Sequence, residues 1–369
     1  MFHRHSIRIV LGLAVALVLP LQASASEQMR DLLRQLAKDI LAYTKDQPVS
    51  IGQINPTGLP HANAGPCLEG TLRFELETLH KGIVQASAQY KVEGEYALVA
   101  SERYPGMKEI KIVVRLIDTS TGNDLTRLQC RLDGTSTIAE LTQVTAALPP
   151  NGTKEERNRL LQKILEHPSV FIHGRENTLV SSRQESPYAL EILVKPMENS
   201  RKQQGTPCTV HVEEGHAFVD IHKDQVYEVA LHNKSDTPVL AGVFIDGLDV
   251  FNFSKDRNRS GRPRYGHFLV KPNSTTKISG WYQTGSGADD SLSFSTTEYG
   301  QGTGSTLRLA GRGPVGVIHV QFSRGNEIKP GAMPRGYEFT DTPPGKAGQK
   351  PIRYQLEPLH DYVSVRYHR

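Results

Sequence analysis

The chain has 369 residues, enough for two or three domains of ordinary size, and its 43 Lys and Arg against 39 Asp and Glu leave a net charge of +4. So slight a basic excess speaks against a dedicated nucleic-acid binder, and no nucleic-acid partner is expected. With 37% apolar residues, 32 Gly and 22 Pro, a polytopic membrane protein is excluded and a turn-rich, largely β fold is favoured over a helical bundle, while three cysteines exclude a disulfide-dense scaffold.

Residues 1–25 have the three parts of a secretory signal: basic Arg4, His5 and Arg8, an apolar run over 9–21, and Ala23-Ser24-Ala25 as a small-residue cleavage pattern. The run contains Pro20 and is shorter than the ~18 residues of a membrane span; no later run reaches that length. An uncleaved anchor is the alternative reading. The favoured one is an exported, periplasmic or extracellular protein with no transmembrane segment after processing. In an oxidising compartment Cys67 and Cys130 are candidates for a disulfide with Cys208 left over; three free thiols are the other outcome. No C-x-x-C or clustered Cys/His set supports zinc, and no cofactor is expected.

Over 27–45 the apolar residues Met29, Leu32, Leu33, Leu36, Ile40 and Leu41 recur at three- and four-residue steps, which predicts an amphipathic helix. A short strand over 49–54 and a Pro/Gly/Asn loop follow, then a helix marked by Leu68, Leu72, Leu76 and Leu79 and stopped at Gly82. Strands are predicted over 90–99, 110–118 and 125–132, the last two joined by turn residues 119–124, and a further helix over 137–148 before Pro149-Pro150.

The stretches VSIGQI, LEGTLRFELETL, YKVEGEYALV and IKIVVRLIDTSTGNDL, with Leu116-Ile117-Asp118 leading into Thr121-Gly122, are similar to a recurrent pattern. This half resembles the periplasmic α/β domain of bacterial envelope-assembly proteins, of the curli-export channel subunit, flagellar outer-membrane accessory and penicillin-binding-protein activator types. The resemblance implies a domain that binds other proteins rather than one that carries a reaction. The lipid-anchor cysteine common among such relatives does not occur near the cleavage site.

The expected division is a signal peptide over 1–25, an α/β domain over 27–150, a connector with a short helix (KEERNRLLQKILE) over 151–187, and a mainly antiparallel β-sandwich over 188–369. The fold class is thus α+β. In the last part short β-rich runs at 189–194, 217–221, 226–231, 239–245, 267–270, 276–281, 292–294, 315–322 and 362–367 alternate with turns. Tyr227 with Asn233, Ile245-Asp246-Gly247, Gly280-Trp281 and Val365-Arg366-Tyr367 resemble an uncharacterised β-sandwich module of exported bacterial proteins.

Motifs of known chemistry are few. Residues 311–316 satisfy G-x-G-x-x-G, but strand-like residues follow and Pro314 removes an N–H, so the motif reads as a turn. Ser274-Thr275-Thr276-Lys277 matches S-x-x-K without its companion motifs. His211, His216, His222 and His232 read as solvent-facing strand residues rather than a metal site. Asp246-Gly247 reads as a two-residue hairpin turn, with calcium ligation by Asp246 and Asp249 as the minor alternative.

Two features are binding candidates. Lys255, Arg257, Arg259, Arg262 and Arg264, edged by Tyr265, form a basic loop suited to an acidic partner. Trp281-Tyr282 would stack on a sugar ring if exposed and would anchor the core if buried. No catalytic residue is expected. The reading is a non-catalytic envelope adaptor or assembly factor whose partners are envelope proteins; a module binding glycan or anionic polymer, and a hydrolase built from dispersed carboxylates, are the alternatives. Intact-mass measurement of the exported protein is expected to show a chain lacking its first 25 residues.

Overall fold

The computed structural model describes residues 25–198, 203–223, 225–259, 261–284, 292–295, 315–328, 339–343 and 351–368. The signal segment 1–24 and most of the 311–316 motif lie outside them. Helix α1 (Ala25–Thr44) buries Met29, Leu33, Leu36, Ile40 and Leu41 along the stripe its spacing dictates. After β1 (Val49–Thr57), α2 (Gly65–Leu79) opens with Pro66 in its first turn, where a missing N–H costs nothing. Strands β2 (Tyr90–Ala100), β3 (Lys108–Asp118) and β4 (Asp124–Leu132) complete a sheet of order β1-β2-β3-β4, parallel only between β1 and β2. Leu72 and Leu76 of α2 share a core with Val92, Tyr96, Ile112, Val114 and Leu116 of the sheet.

The predicted helix over 137–148 is shorter in the structure. Helix α3 (Thr135–Thr142) ends where Gln143 adopts a left-handed backbone, and the chain extends into β5 (Ala146–Ala147). Tertiary pairing wins here over helical spacing, because β5 binds a strand at the far end of the chain. Helix α4 (Lys154–Glu166) matches its predicted span and carries a capping box between Thr153 and Glu156. The same connector holds two strands, β6 (Phe171–His173) and β7 (Leu179–Ser181), which pair with each other and extend a sheet of the sandwich.

The strands that follow are β8 (Tyr188–Pro196), β9 (Thr206–Pro207), β10 (His211–Glu213), β11 (His216–Val219), β12 (Gln225–Asn233), β13 (Val239–Ile245), β14 (Leu248–Asp249), β15 (Phe268–Val270), β16 (Ser274–Ile278), β17 (Gly280–Trp281) and β18 (Leu292–Ser295). The chain closes with β19 (Val315–Ser323), β20 (Gly325–Glu327), β21 (Phe339–Thr342), β22 (Ile352–Leu356) and β23 (Asp361–His368). One sheet runs β17-β18-β12-β8-β7-β6, and the facing one runs β10-β11-β23-β19-β13-β14. Their inner residues, among them Leu190, Ile192, Val229, Leu231, Val243, Ile318, Val320, Val363 and Val365, form one core. The fold is α+β: helices on a mixed sheet, then a mostly antiparallel sandwich.

The Asp246-Gly247 hairpin forms with both residues at positive φ, 53° and 77°. The turn is also a joint. Asp246 Oδ1 accepts from Asn63 Nδ2 at 3.0 Å and from the Val317 N–H at 2.9 Å. A Cβ on Gly247 would fall 2.8 Å from Ala64 Cα, so the glycine is required on both counts. Strand β23 makes the second joint: Val363, Val365 and Tyr367 point into the sandwich, while Tyr362 packs in the helix-sheet core. Its outer residues bond across: Tyr362 OH to Ser136, the Ser364 N–H to Thr145 Oγ1, and Arg366 to the His61 and Gln143 carbonyls.

The Cys67–Cys130 bridge does not form; all three cysteines are free thiols. Helix α2, with Cys67, packs over β1, whereas Cys130 lies on β4 at the opposite edge of the sheet. Burial pushes the Cys130 and Cys208 thiols up to about 11 and Cys67 higher still.

The joints predict how the chain responds to a single cut. Glu166 and His167, at the end of α4, are exposed, and a protease nick there is expected to leave two fragments that co-elute under native conditions and part only in denaturant. Size-exclusion chromatography of the nicked protein reads the outcome.

Candidate functional site

The basic loop lies between β14 and β15, with Ser260 outside the described residues. Its backbone folds on itself: the Asn258 N–H donates to Arg262 O at 2.8 Å, Gly261 N–H to Asn258 O at 3.0 Å, and Arg264 N–H to Asp256 O at 2.9 Å. Asn258 Oδ1 accepts from the Arg262 N–H at 3.1 Å, and Gly261 supplies the positive φ of 76°. The Lys255 N–H ties the entry of the loop to Gln283 O at 2.7 Å.

The side chains divide into committed and uncommitted cations. Arg257 donates to its own loop, at Asn252 O and Gly261 O. Arg262 reaches across to α2, with Nη2 3.7 Å from Glu75 Oε1 and its guanidinium over the Phe74 ring at 5.6 Å. Glu75 is 1% exposed, and Arg34 of α1 approaches its other oxygen at 3.8 Å. Arg264 lies 3.6 Å from Asp341, which Arg353 binds more closely at 2.7 Å. That leaves Lys255 and Arg259, both exposed and without a side-chain partner among the described residues.

The aromatic candidates are turned inward. Trp281 is buried, edge-on to Phe253 and Phe294, with centroids 4.9 and 5.6 Å away. Tyr265 is buried, and Tyr282 packs against Phe251 and Tyr265 with its hydroxyl enclosed. Burial raises both phenols. None of the three offers a ring face to a sugar; the sandwich core claims them.

The histidines of 211–232 are dispersed: His211 meets Glu213 at 3.1 Å, His216 lies edge-on to His61, and His232 meets Glu191 at 3.2 Å and Thr275 at 2.9 Å. Among the described residues no group of three or more His, Cys, Asp or Glu is placed to hold a metal ion. Asp249 is half-buried and accepts from the Phe251 N–H at 2.9 Å, and desolvation raises it to about 7, the opposite of what a calcium ligand needs.

Sequence reasoning missed a cleft of about 370 Å³ where α1 meets the β3 and β4 ends, lined by Asp31, Glu102, Glu109, Arg131 and Asp133 among others. Its residues come from α1, β3, β4 and the turns beside those strands, so no local pattern marks it. Arg131 binds both Glu109 and Glu102. Burial alone would raise Asp133, but bonds from Gln28 at 2.8 Å and Lys154 at 3.2 Å outweigh it and hold the carboxyl below its ordinary value. Three of the four lining carboxylates, Glu102, Glu109 and Asp133, are thus bonded to neighbouring donors, which is not the arrangement of a glycosidase acid.

No protein-family model matches the chain, nor does any curated protein. Among solved structures it is similar to the C-terminal domain of LpoB from Salmonella enterica, at 10% identity and a TM-score of 0.23, over 28% of this chain and 98% of that one. It is also similar to PelC from Paraburkholderia phytofirmans, a dodecamer, at 19% identity and a TM-score of 0.17, over 32% of this chain and 83% of that one. At such scores neither neighbour bears on what this chain does. No helix among the described residues is long and apolar enough to cross a membrane.

The clamp on Glu75 separates the cations by their effect on stability. Arg262→Ala takes away one of two cations at ion-pair distance from a buried carboxylate whose oxygens make no hydrogen bond, and is expected to cost about 1–3 kcal/mol in urea denaturation. Glu75→Gln in that background is expected to recover part of the loss, and Arg259→Ala to lie within about 0.5 kcal/mol of the parent.

Proposed function

We propose that the protein is a non-catalytic, exported envelope protein, an adaptor or assembly factor that binds other proteins and docks an acidic partner surface on its arginine-rich loop. The observation that carries the reading is the pre-formed loop, which holds Lys255 and Arg259 outward while its own backbone bonds and the Arg262–Glu75 contact fix its shape. A loop already in its bound shape loses little entropy on association, and an arginine fork offers paired donors to a carboxylate.

The aromatic residues weigh against the glycan reading, since Trp281, Tyr265 and Tyr282 serve the core. The committed carboxylates of the α1 cleft weigh against the hydrolase.

The test is a pull-down of the mature protein against envelope extract, run beside an array of acidic polysaccharides. The adaptor reading expects retention of envelope proteins that weakens as salt rises, and a loss of at least about tenfold with the Lys255→Ala, Arg259→Ala pair. Retention of acidic polysaccharide alone would turn the loop to the polymer-binding reading; equal capture by parent and double variant at every salt concentration would remove the loop from the function.

A further inference from the structure

Arg366 of β23 is a wholly enclosed cation, 0% exposed. Its Nε donates to His61 O at 3.3 Å and its Nη2 to Gln143 O at 3.0 Å, while Nη1 is buried with no hydrogen-bond partner. Among the described residues no carboxylate lies at ion-pair distance from it; the nearby Glu214 pairs instead with His61 at 3.5 Å, and Asp246 is held by Asn63, Val317 and Tyr367. A buried guanidinium bonded only to carbonyls keeps its full charge uncompensated, which the interior tolerates poorly.

Further donors in the same layer also end without acceptors: one on His319, one on Gln143 and, two residues along the same face of β19, Gln321 Nε2. His319 faces Ser364 across the β19–β23 pair, and Arg366 is two residues further along the same strand face, so His319 and Arg366 are diagonal neighbours. His319 Nδ1 meets Ser364 Oγ at 2.8 Å, leaving Nε2 buried and unpartnered. Burial first, then the Arg366 charge, holds His319 down to about 3, so the ring is neutral at pH 7. We assign the Ser364 hydroxyl as the donor to Nδ1, since no other acceptor for its proton stands among the described residues; that assignment puts the ring proton on Nε2. Gln143, whose carbonyl caps Arg366, spends its side-chain oxygen on the Asn63 N–H, and its Nε2 is likewise enclosed without a partner.

What Arg366, His319 and Gln143 would accept is narrow. All are donors, and the layer carries one unbalanced positive charge. A water molecule would accept two of the bonds but bring two protons of its own into a place with donors to spare, and would leave the charge unbalanced. A small monovalent anion satisfies the donors and the charge together.

We propose that the layer between β19–β23 and the α3–β5 segment binds one small inorganic anion, a halide such as chloride, on Arg366 Nη1, His319 Nε2 and Gln143 Nε2. The anion would be an internal part of the joint between the two halves, apart from the surface arginines of the 255–264 loop.

The test is a crystal of the mature protein grown in sodium bromide, with data collected at the bromine absorption edge. The expected result is one anomalous peak among these three nitrogens; water density there, or none, overturns the proposal. Thermal unfolding in solution supplies a second reading. Sodium chloride is expected to raise Tm progressively relative to sodium gluconate of equal ionic strength, since gluconate is too large to enter. Gln143→Leu removes one donor, and with it the acceptor of the Asn63 N–H, while keeping the backbone carbonyl on Arg366; it is expected to lower Tm in both salts and to shift the chloride response to at least about tenfold higher concentration. Equal Tm curves in chloride and gluconate for the parent chain also overturn it.

Discussion

The two-residue period of β23 is the constraint on which this molecule rests. Successive side chains of a strand point to opposite faces, so a strand between two apolar bodies must satisfy both at once. Val363, Val365 and Tyr367 fill the sandwich, and between them Tyr362, Ser364 and Arg366 serve the helix-sheet body. A slip of one residue would send Arg366 into the aliphatic core and Val363 and Val365 into a layer of hydrogen bonds. Register here is fixed from both sides.

The chemistry of the two faces differs, and that difference explains the distribution of charge. Between the sheets the contacts are apolar and non-directional. Against the helix-sheet body they are directional: Asp246 on Asn63, Thr145 on Ser364, Glu75 between Arg34 and Arg262. Such bonds contribute little net stability each, but leaving a buried partner unmatched is costly, so they select one docking geometry over its neighbours. The arginine loop belongs to this system through Arg262, and its shape follows from the docking as much as from its own turn residues.

Much of the architecture is legible in the sequence, because local signals and tertiary demands agree. The stripe of α1, the strands β2 to β4, the capped α4 and the Asp246-Gly247 hairpin all follow from period and turn chemistry. Where tertiary pairing decides, reading fails: Val144 to Leu148 carries apolar residues that suit a helix, yet β5 is drawn out by β23. Short strands such as β6, β7, β20 and β22 hold too few residues to show a period. The candidate site was legible as a run of charge but not as a shape, since nothing near Arg262 in the chain announces Glu75. Burial of Trp281 and Tyr265 is likewise a property of the packed sandwich, and the Cys67–Cys130 pairing failed because membership of one core does not bring two residues to the same edge of a sheet.

Gly247 has a mechanical consequence. With Ala64 so close, the turn and the first residues of α2 touch backbone to backbone, and no side chain is present to give way. Glu75 takes hold of the sandwich loop eleven residues further along α2, about 16 Å at the helical rise, and β5 grips β23 elsewhere. A swinging motion needs an axis, and attachments spread over a helix and a strand leave no single line to turn about. Contacts spread in this way oppose a hinge between the two halves, and through Glu75 they tie the arginine loop to α1 and α2 of the first half.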